Sequence, residues 1–234
     1  MEEIRAYLAK DEVDKKAKVL TKLNLQDEMN VSAETNLIQY FIINVQDSAK
    51  PKPLTKGFYR FNNIDFTPNG KKLIGSGYVD SLQNPDRALE NQILIADTDG
   101  SNLRVILGKQ NMNYNSAKVS PSGKWIAFQY VTTGFVDVPQ LGIMQLNSSS
   151  NEIITIPFDR IKGNFTWSND EKYIYFSAES NGGQPVYRVN VDTKNVEELS
   201  DYNSGILNFD VNGNKIVFAK TQVTDPSELY TADA

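Results

Sequence analysis

The chain has 234 residues, 40% of them apolar, with 11 Tyr, 11 Phe and a formal charge of −5. This is enough apolar mass for a sizeable core, and the acidic balance argues against nucleic acid or an anionic membrane as the main partner. Cysteine and histidine are both absent, which removes disulfides, thiolate nucleophiles, zinc–cysteine centres and the usual base of a Ser-His-Asp site.

In chain order, MEEIRAYLAKDEVDKK carries acid where a signal peptide needs basic and then apolar residues. No apolar run approaches the roughly 18 residues that span a bilayer. Between Asp11 and Asn36, Val13, Ala17 and Leu20 fall at helical spacing, whereas Val19, Thr21, Leu23 and Leu25 alternate like a strand. A strand with a long hairpin is the favoured reading. QYFIINVQDSAKPKPLTKG, from Gln39, reads as a pair of outer strands.

From Phe66 onward one pattern recurs: FTPNGKKLIGSGY, VSPSGKWIAFQY from Val119, WSNDEKYIYFSAE from Trp167 and FDVNGNKIVFAK from Phe209. Each has an aromatic or branched residue, a polar turn, a Lys and an apolar strand. The turn residues Gly70, Gly123, Glu171 and Gly213 lie 53, 48 and 42 positions apart. Glycine supplies positive φ in three turns, and Asn169-Asp170 makes the fourth tolerable. Second strand pairs follow in NQILIADTDGSNLRVIL, LGIMQLNSSSNEIITI and PVYRVNVDTKNVEEL, with period-2 alternation and turns at Asp99-Gly100 and Asp192 to Asn195. GYVDSLQNPDRALENQ, from Gly77, interrupts the first unit, and its PDRALEN predicts a helical turn from Pro85.

Units of about 40–50 residues with four short strands predict an all-β chain, a β-propeller of four-stranded antiparallel blades. A blade cannot bury both faces alone, so neighbours stack and share apolar faces. A β-sandwich with irregular hairpins is the competing arrangement, and the repeated order favours the propeller. The expected single domain spans 1–234: a partial unit at 1–57, then units at about 58–110, 111–160, 161–203 and 204–234. These are about five units, incomplete at both ends, with ELYTADA beginning a last copy. Open blade edges offer unpaired backbone for self-association by strand pairing.

The candidate chemistry is sparse. Gly75-Ser76-Gly77 lacks the spacing of a nucleophile elbow, and Ser120 and Ser122 precede a strand and read as turn residues. Asp97, Asp99 and Gly100 faintly resemble a calcium loop, but the later ligand positions include Leu103 and Leu107, so a hairpin turn is the better reading. Glu2 with Glu3 and Glu197 with Glu198 are acidic pairs able to offer two carboxylates to one ammonium, and each reads better as solvated charge. Trp125, Trp167, Phe128, Tyr173 and Tyr175 read as packing between blades. Asp80, Asp86 and Asp137 sit on loops with no spacing indicative of general acid–base work. The expected catalytic, cofactor-binding and metal residues are therefore none, and no cofactor is expected.

Pro121, Gly123, Lys124, Ile126 and Phe128 form a P-x-G-K-x-I-x-F pattern that resembles the TolB-like propeller repeat. The longer order runs from KVLTKLNL, QYFIINV and KPKPLTKG through WSNDEKYIYFSAESNGGQPVYRVNV to FAKTQVTDPSELYTAD. It resembles the propeller of the prolyl oligopeptidase family of serine peptidases, particularly acylaminoacyl-peptidase and dipeptidyl-peptidase-like members. Thr224 to Tyr230 resembles the last strand pair before that family's peptidase domain. The resemblance implies a non-catalytic propeller over an α/β-hydrolase domain carrying Ser, Asp and His, admitting small peptides and excluding large substrates. It also implies that the hydrolase domain and the N-terminal blades lie outside this sequence. The partners it implies are that domain and its peptide substrate. A TolB-like interaction scaffold is the rival expectation, and a carboxylate enzyme built on the loop aspartates is the weakest.

Overall fold

The repeated turn dictates a hairpin, because its residues both reverse the chain and tie it closed. The computed structural model describes residues 38–45, 50–56, 60–79, 90–134, 137–148, 152–200 and 205–233. The expectations placed on Asp11 to Asn36, on the first five residues of PDRALEN, on the Glu2–Glu3 pair and on Asp80 and Asp86 lie outside those residues. Gly70, Gly123 and Gly213 take the positive φ expected of them, and Glu171 takes the same left-handed conformation at φ 61° without being glycine. Three residues before Gly70, Gly123 and Glu171 stands a buried hydroxyl, Thr67, Ser120 and Ser168 respectively. Each accepts the backbone N–H of the strand that follows: Lys72 at 3.1 Å, Trp125 at 3.1 Å and Tyr173 at 2.9 Å. Ser120, fully buried, thus serves the turn.

Among the described residues there are strands and no helices. A short ribbon pairs β1 (Phe41–Ile42) with β2 (Lys52–Pro53). Blade 1 is β3 (Arg60–Phe66), β4 (Lys72–Tyr78), β5 (Gln92–Asp97) and β6 (Arg104–Leu107), antiparallel and in chain order. Blade 2 is β7 (Met112–Val119), β8 (Trp125–Thr132), β9 (Gln140–Gln145) and β10 (Ile154–Thr155). Blade 3 is β11 (Lys162–Trp167), β12 (Tyr173–Ala178), β13 (Val186–Asn190) and β14 (Val196–Glu198). A three-stranded fourth blade holds β15 (Gly205–Asn212), β16 (Lys215–Thr221) and β17 (Glu228–Asp233). These are stacked propeller blades, as the repeat predicts, and the sheets do not close into a barrel.

Stacking follows from strand alternation. On β8, Ile126 and Phe128 join Ile74, Ile93, Leu107, Tyr114 and Met144 in the core between blades 1 and 2. The intervening Ala127 faces the other way, into the core of Leu141, Ile143, Ile156, Trp167, Ile174 and Phe176 between blades 2 and 3. Tyr175 and Val186 then meet Ile206, Val211 and Ile216 of blade 4. The predicted packing role of the aromatics holds: Phe128, Trp167 and Tyr175 are buried, and Trp125 and Tyr173 pack half-buried at the edges of these clusters. Ile74, Ala127, Tyr175 and Val217 each stand four residues after a turn residue. The first three are buried by the following blade, whereas Val217 is 42% exposed on the outer face of blade 4.

Side chains also bind blade to blade. Trp167 Nε1 donates to the Lys118 carbonyl across 3.1 Å. Glu171 reaches back to the preceding turn, where its carboxylate accepts the Ser122 backbone N–H and, at 2.9 Å, the Ser122 hydroxyl. Asn169 Nδ2 donates forward to Asn212 Oδ1 at 3.1 Å. One rim of the stack is therefore tied turn to turn. Ser122, expected as a turn residue, also has this second role.

Candidate functional site

The strands β3, β7 and β11 each form one edge of their sheet, and each carries a break in its ladder where pairing shifts register. Such bulges re-aim side chains that regular pleating would send into a blade interface. Asn63, Ser116 and Asn164 sit at these bulges, each seven residues before its turn residue. Ser116 adopts positive φ, 56°. The three polar positions help line one groove of about 550 Å³, shared by blades 1, 2 and 3.

The groove is polar and internally braced. Asn63 Oδ1 accepts the backbone N–H of Ser76 at 3.1 Å, and its hydroxyl as well. Gln129, on β8, donates its amide to the carbonyls of Lys162 and Gly163, the latter at 3.0 Å, which caps backbone groups freed by the third bulge. Asn164 Nδ2 reaches Asn208 of blade 4 at 3.1 Å. Gln184 also lines a neighbouring polar cavity of about 440 Å³ beside the Asn181-Gly182 turn, so the two hollows share a wall.

Lys162 is the least expected member. Its residue surface is only 1% exposed, and its ammonium donates to Gln140 Oε1 at 3.0 Å. Burial lowers its pKa from the ordinary 10.5, and the distant charge of Asp159 only partly opposes this. A charged lysine held this way destabilises the fold at neutral pH, and the cost is relieved as pH rises through the lowered pKa toward 10.5. Lys162→Met is therefore expected to stabilise the chain by about 1–3 kcal/mol at pH 7. The gain in urea midpoint over wild type should shrink as pH rises toward 10. A variant less stable than wild type at pH 7 would refute this account.

The other candidate residues do not converge. Asp97 bridges Lys72 at 2.7 Å and Asn102 at 2.6 Å, and these partners hold its carboxyl below the usual range. Asp99 accepts the Ser101 N–H at 2.8 Å. Both belong to the β5–β6 hairpin, as read from the sequence. Glu197 pairs with Arg188 at 2.8 Å, whereas Glu198 accepts the Tyr187 hydroxyl at 3.0 Å, so adjacent alternation sends the two carboxylates to different partners. Asp137 is exposed on the loop between β8 and β9. No single residue marks the groove in the sequence, although the polar residue seven places before Gly70, Gly123 and Glu171 is a signal that points to it.

No protein-family model and no curated protein matches the sequence. Solved structures do. A protein designated TolB from Agrobacterium tumefaciens aligns at 20% identity and a TM-score of 0.66, covering 83% of this chain and 70% of its own. TolB from Acinetobacter baumannii aligns at 18% and 0.62, covering 80% of this chain and 44% of its own. A puromycin-hydrolyzing peptidase from Mycobacterium tuberculosis aligns at 13% and 0.61, with 82% of this chain matched to 33% of that one. The shared property is the propeller fold, and the chain spans less than half of the Acinetobacter protein and a third of the peptidase.

Proposed function

We propose that the chain is the propeller segment of a serine exopeptidase of the prolyl oligopeptidase family, non-catalytic itself and gating peptide access to an α/β-hydrolase domain. The observation that carries this reading is the match of four-fifths of the chain to one third of a peptidase. The ordered resemblance that ends at Thr224 to Tyr230, before that family's peptidase domain, agrees with it. Rigid blades with dry shared cores suit a sieve, since close-packed interiors resist deformation. The partners in this reading are the hydrolase domain of the parent chain and its peptide substrate.

The test is the reading frame that encodes Ala234. It is expected to run on into a G-x-S-x-G hydrolase, and the purified 234-residue chain should leave peptide p-nitroanilides uncleaved. A stop codon directly after Ala234 would overturn the assignment. A second reading, a TolB-like interaction scaffold, is favoured by the TM-score of 0.66 to the Agrobacterium protein. It predicts a stable complex with a partner protein that forms without any hydrolase domain. Association through the edge strand β17, whose residues are all exposed, is expected to be read as concentration-dependent mass in sedimentation.

A further inference from the structure

Successive blades do not fill their shared turn rim equally, and the difference leaves a hollow at one joint. Between blades 2 and 3 the space is filled from blade 3. Trp167, four residues before the turn residue, is buried there and donates its Nε1–H to the Lys118 carbonyl at 3.1 Å. Glu171, the turn residue itself, accepts the Ser122 N–H and hydroxyl, and the charge of Lys124 favours its carboxylate. Between blades 1 and 2 the same two positions hold Val119 and Gly123. Both line a hollow of about 220 Å³ at that joint. A Cβ added at Gly123 would meet nothing within 4 Å.

The receiving half of the Glu171 contact is nevertheless present at this joint. Asn69 stands in the first turn where Ser122 stands in the second, and Lys71 stands where Lys124 does. Asn69 Oδ1 accepts the Lys71 N–H at 3.0 Å within its own turn, whereas the Asn69 backbone N–H has no partner among the described residues. Lys71 and Arg104, both exposed, line the hollow beside Lys72, whose ammonium Asp97 already holds at 2.7 Å. Ile95, Val119 and Leu146 give the wall its apolar part. The joint between blades 3 and 4 differs again: Phe209 takes the Trp167 position, and the Asn169–Asn212 bond ties the turns. Only between blades 1 and 2 are both filling positions small. A volume of about 220 Å³ lies below that of drug-sized sites and suits one aromatic ring with a short acidic chain.

We propose that this hollow binds an aromatic ring bearing a carboxylate, with the ring against Ile95, Val119 and Leu146 and the anion on the Asn69 N–H, Lys71 and Arg104. The ligand thus supplies from outside what Trp167 and Glu171 supply from within the chain at the next joint. Backbone N–H and cationic donors together give a carboxylate charge-assisted hydrogen bonds, which an uncharged amide does not form. The same chemistry comes from a free aromatic acid or from a peptide ending in an aromatic residue. The site belongs to this chain alone and operates whether or not a hydrolase domain is attached.

The experiment is an amide-shift NMR titration of the 234-residue chain with 3-phenylpropionate, 3-phenylpropionamide and the tripeptide Gly-Gly-Phe. Saturable shifts at Asn69, Gly123 and Leu146, at roughly millimolar concentration, are expected with 3-phenylpropionate, the tripeptide or both. Binding of 3-phenylpropionate alone identifies a free acid as the source, and binding of the tripeptide identifies a peptide terminus; either supports the proposal. Gly123→Glu, which places a carboxylate where Glu171 stands in the next turn, should weaken binding at least about tenfold. Gly123→Ala bears the same backbone strain without the carboxylate and should bind as wild type does. Val119→Trp should fill the hollow and abolish binding; if it does not fold, the two Gly123 variants carry the test. The double variant Lys71→Gln, Arg104→Gln should weaken binding about tenfold. The proposal is overturned if neither acid shifts these amides up to about 20 mM. It is equally overturned if 3-phenylpropionamide binds as well as the acid, or if Gly123→Glu or the double variant binds unchanged.

Discussion

Phe176→Ala is expected to remove about 3–5 kcal/mol of stability, enough to unfold much of the population of an ordinary domain. Phe176 is fully buried between blades 2 and 3. Its ring meets Phe158 edge-on at 5.2 Å and stacks on Tyr187 at 5.6 Å. Truncation loses the transfer free energy of the ring and leaves a cavity that rigid neighbouring sheets cannot collapse to fill. The loss falls on an interface, so both adjoining blades should weaken together. Phe66→Ala is the control: Phe66 is 51% exposed, and its truncation should shift stability by no more than about 0.5 kcal/mol. Urea unfolding followed by tryptophan fluorescence reports both. Similar midpoints for the two variants would mean that blade stacking is not where the stability resides.

Gly100→Ala should cost about 2–5 kcal/mol, far more than the same change at an apparently equivalent turn. Gly100 combines φ of 82° with the close passage of the β1–β2 ribbon, and an added Cβ would lie 1.9 Å from the Leu54 carbonyl oxygen. Backbone cannot swing aside as a flexible side chain can. Leu54 is itself pinned, its N–H donating to the Tyr40 carbonyl at 2.8 Å, and it is buried against blade 1. Gly123 has φ of 77° but open space where its Cβ would go, so Gly123→Ala bears only the conformational cost, about 1–2 kcal/mol. Hydrogen exchange at Leu54 should accelerate in Gly100→Ala and stay unchanged in Gly123→Ala. Equal destabilisation by the two substitutions would remove the ribbon contact from the explanation.

The sequence showed what recurs and hid what does not. Gly70, Gly123, Glu171 and Gly213 revealed the hairpins because a turn residue and the following period-2 strand are local signals. The shared apolar faces were likewise legible, since alternation fixes which residues of β8 or β12 point each way. The bulges at Asn63, Ser116 and Asn164 were not, because one extra residue in a ladder leaves the composition of a strand unchanged. Nothing in the sequence sets Lys162 apart from other lysines, and only the packing around it makes it a buried cation. The pairing of Ser122 with Glu171 spans 49 positions, beyond any pattern carried by one blade. Asn181, Ser116 and Asn111 take positive φ without glycine, so those bends too left little mark on the sequence.

The Ser122–Glu171 tie gives the stack a sensitivity that its apolar cores lack. Burial acts to raise the Glu171 pKa, but the Ser122 backbone N–H and hydroxyl, with Ser120 and the charge of Lys124, outweigh it and hold the carboxyl below its ordinary 4.5. With a depressed folded-state pKa, the tie contributes fully above 4.5 and is lost as pH falls through the folded value. Hydrocarbon burial between blades 2 and 3 is indifferent to protons. Acidification therefore opens one rim while leaving the interior joined, like a latch released before a hinge. The Ser122 amide resonance, followed down a pH titration, would register that release before any global unfolding signal.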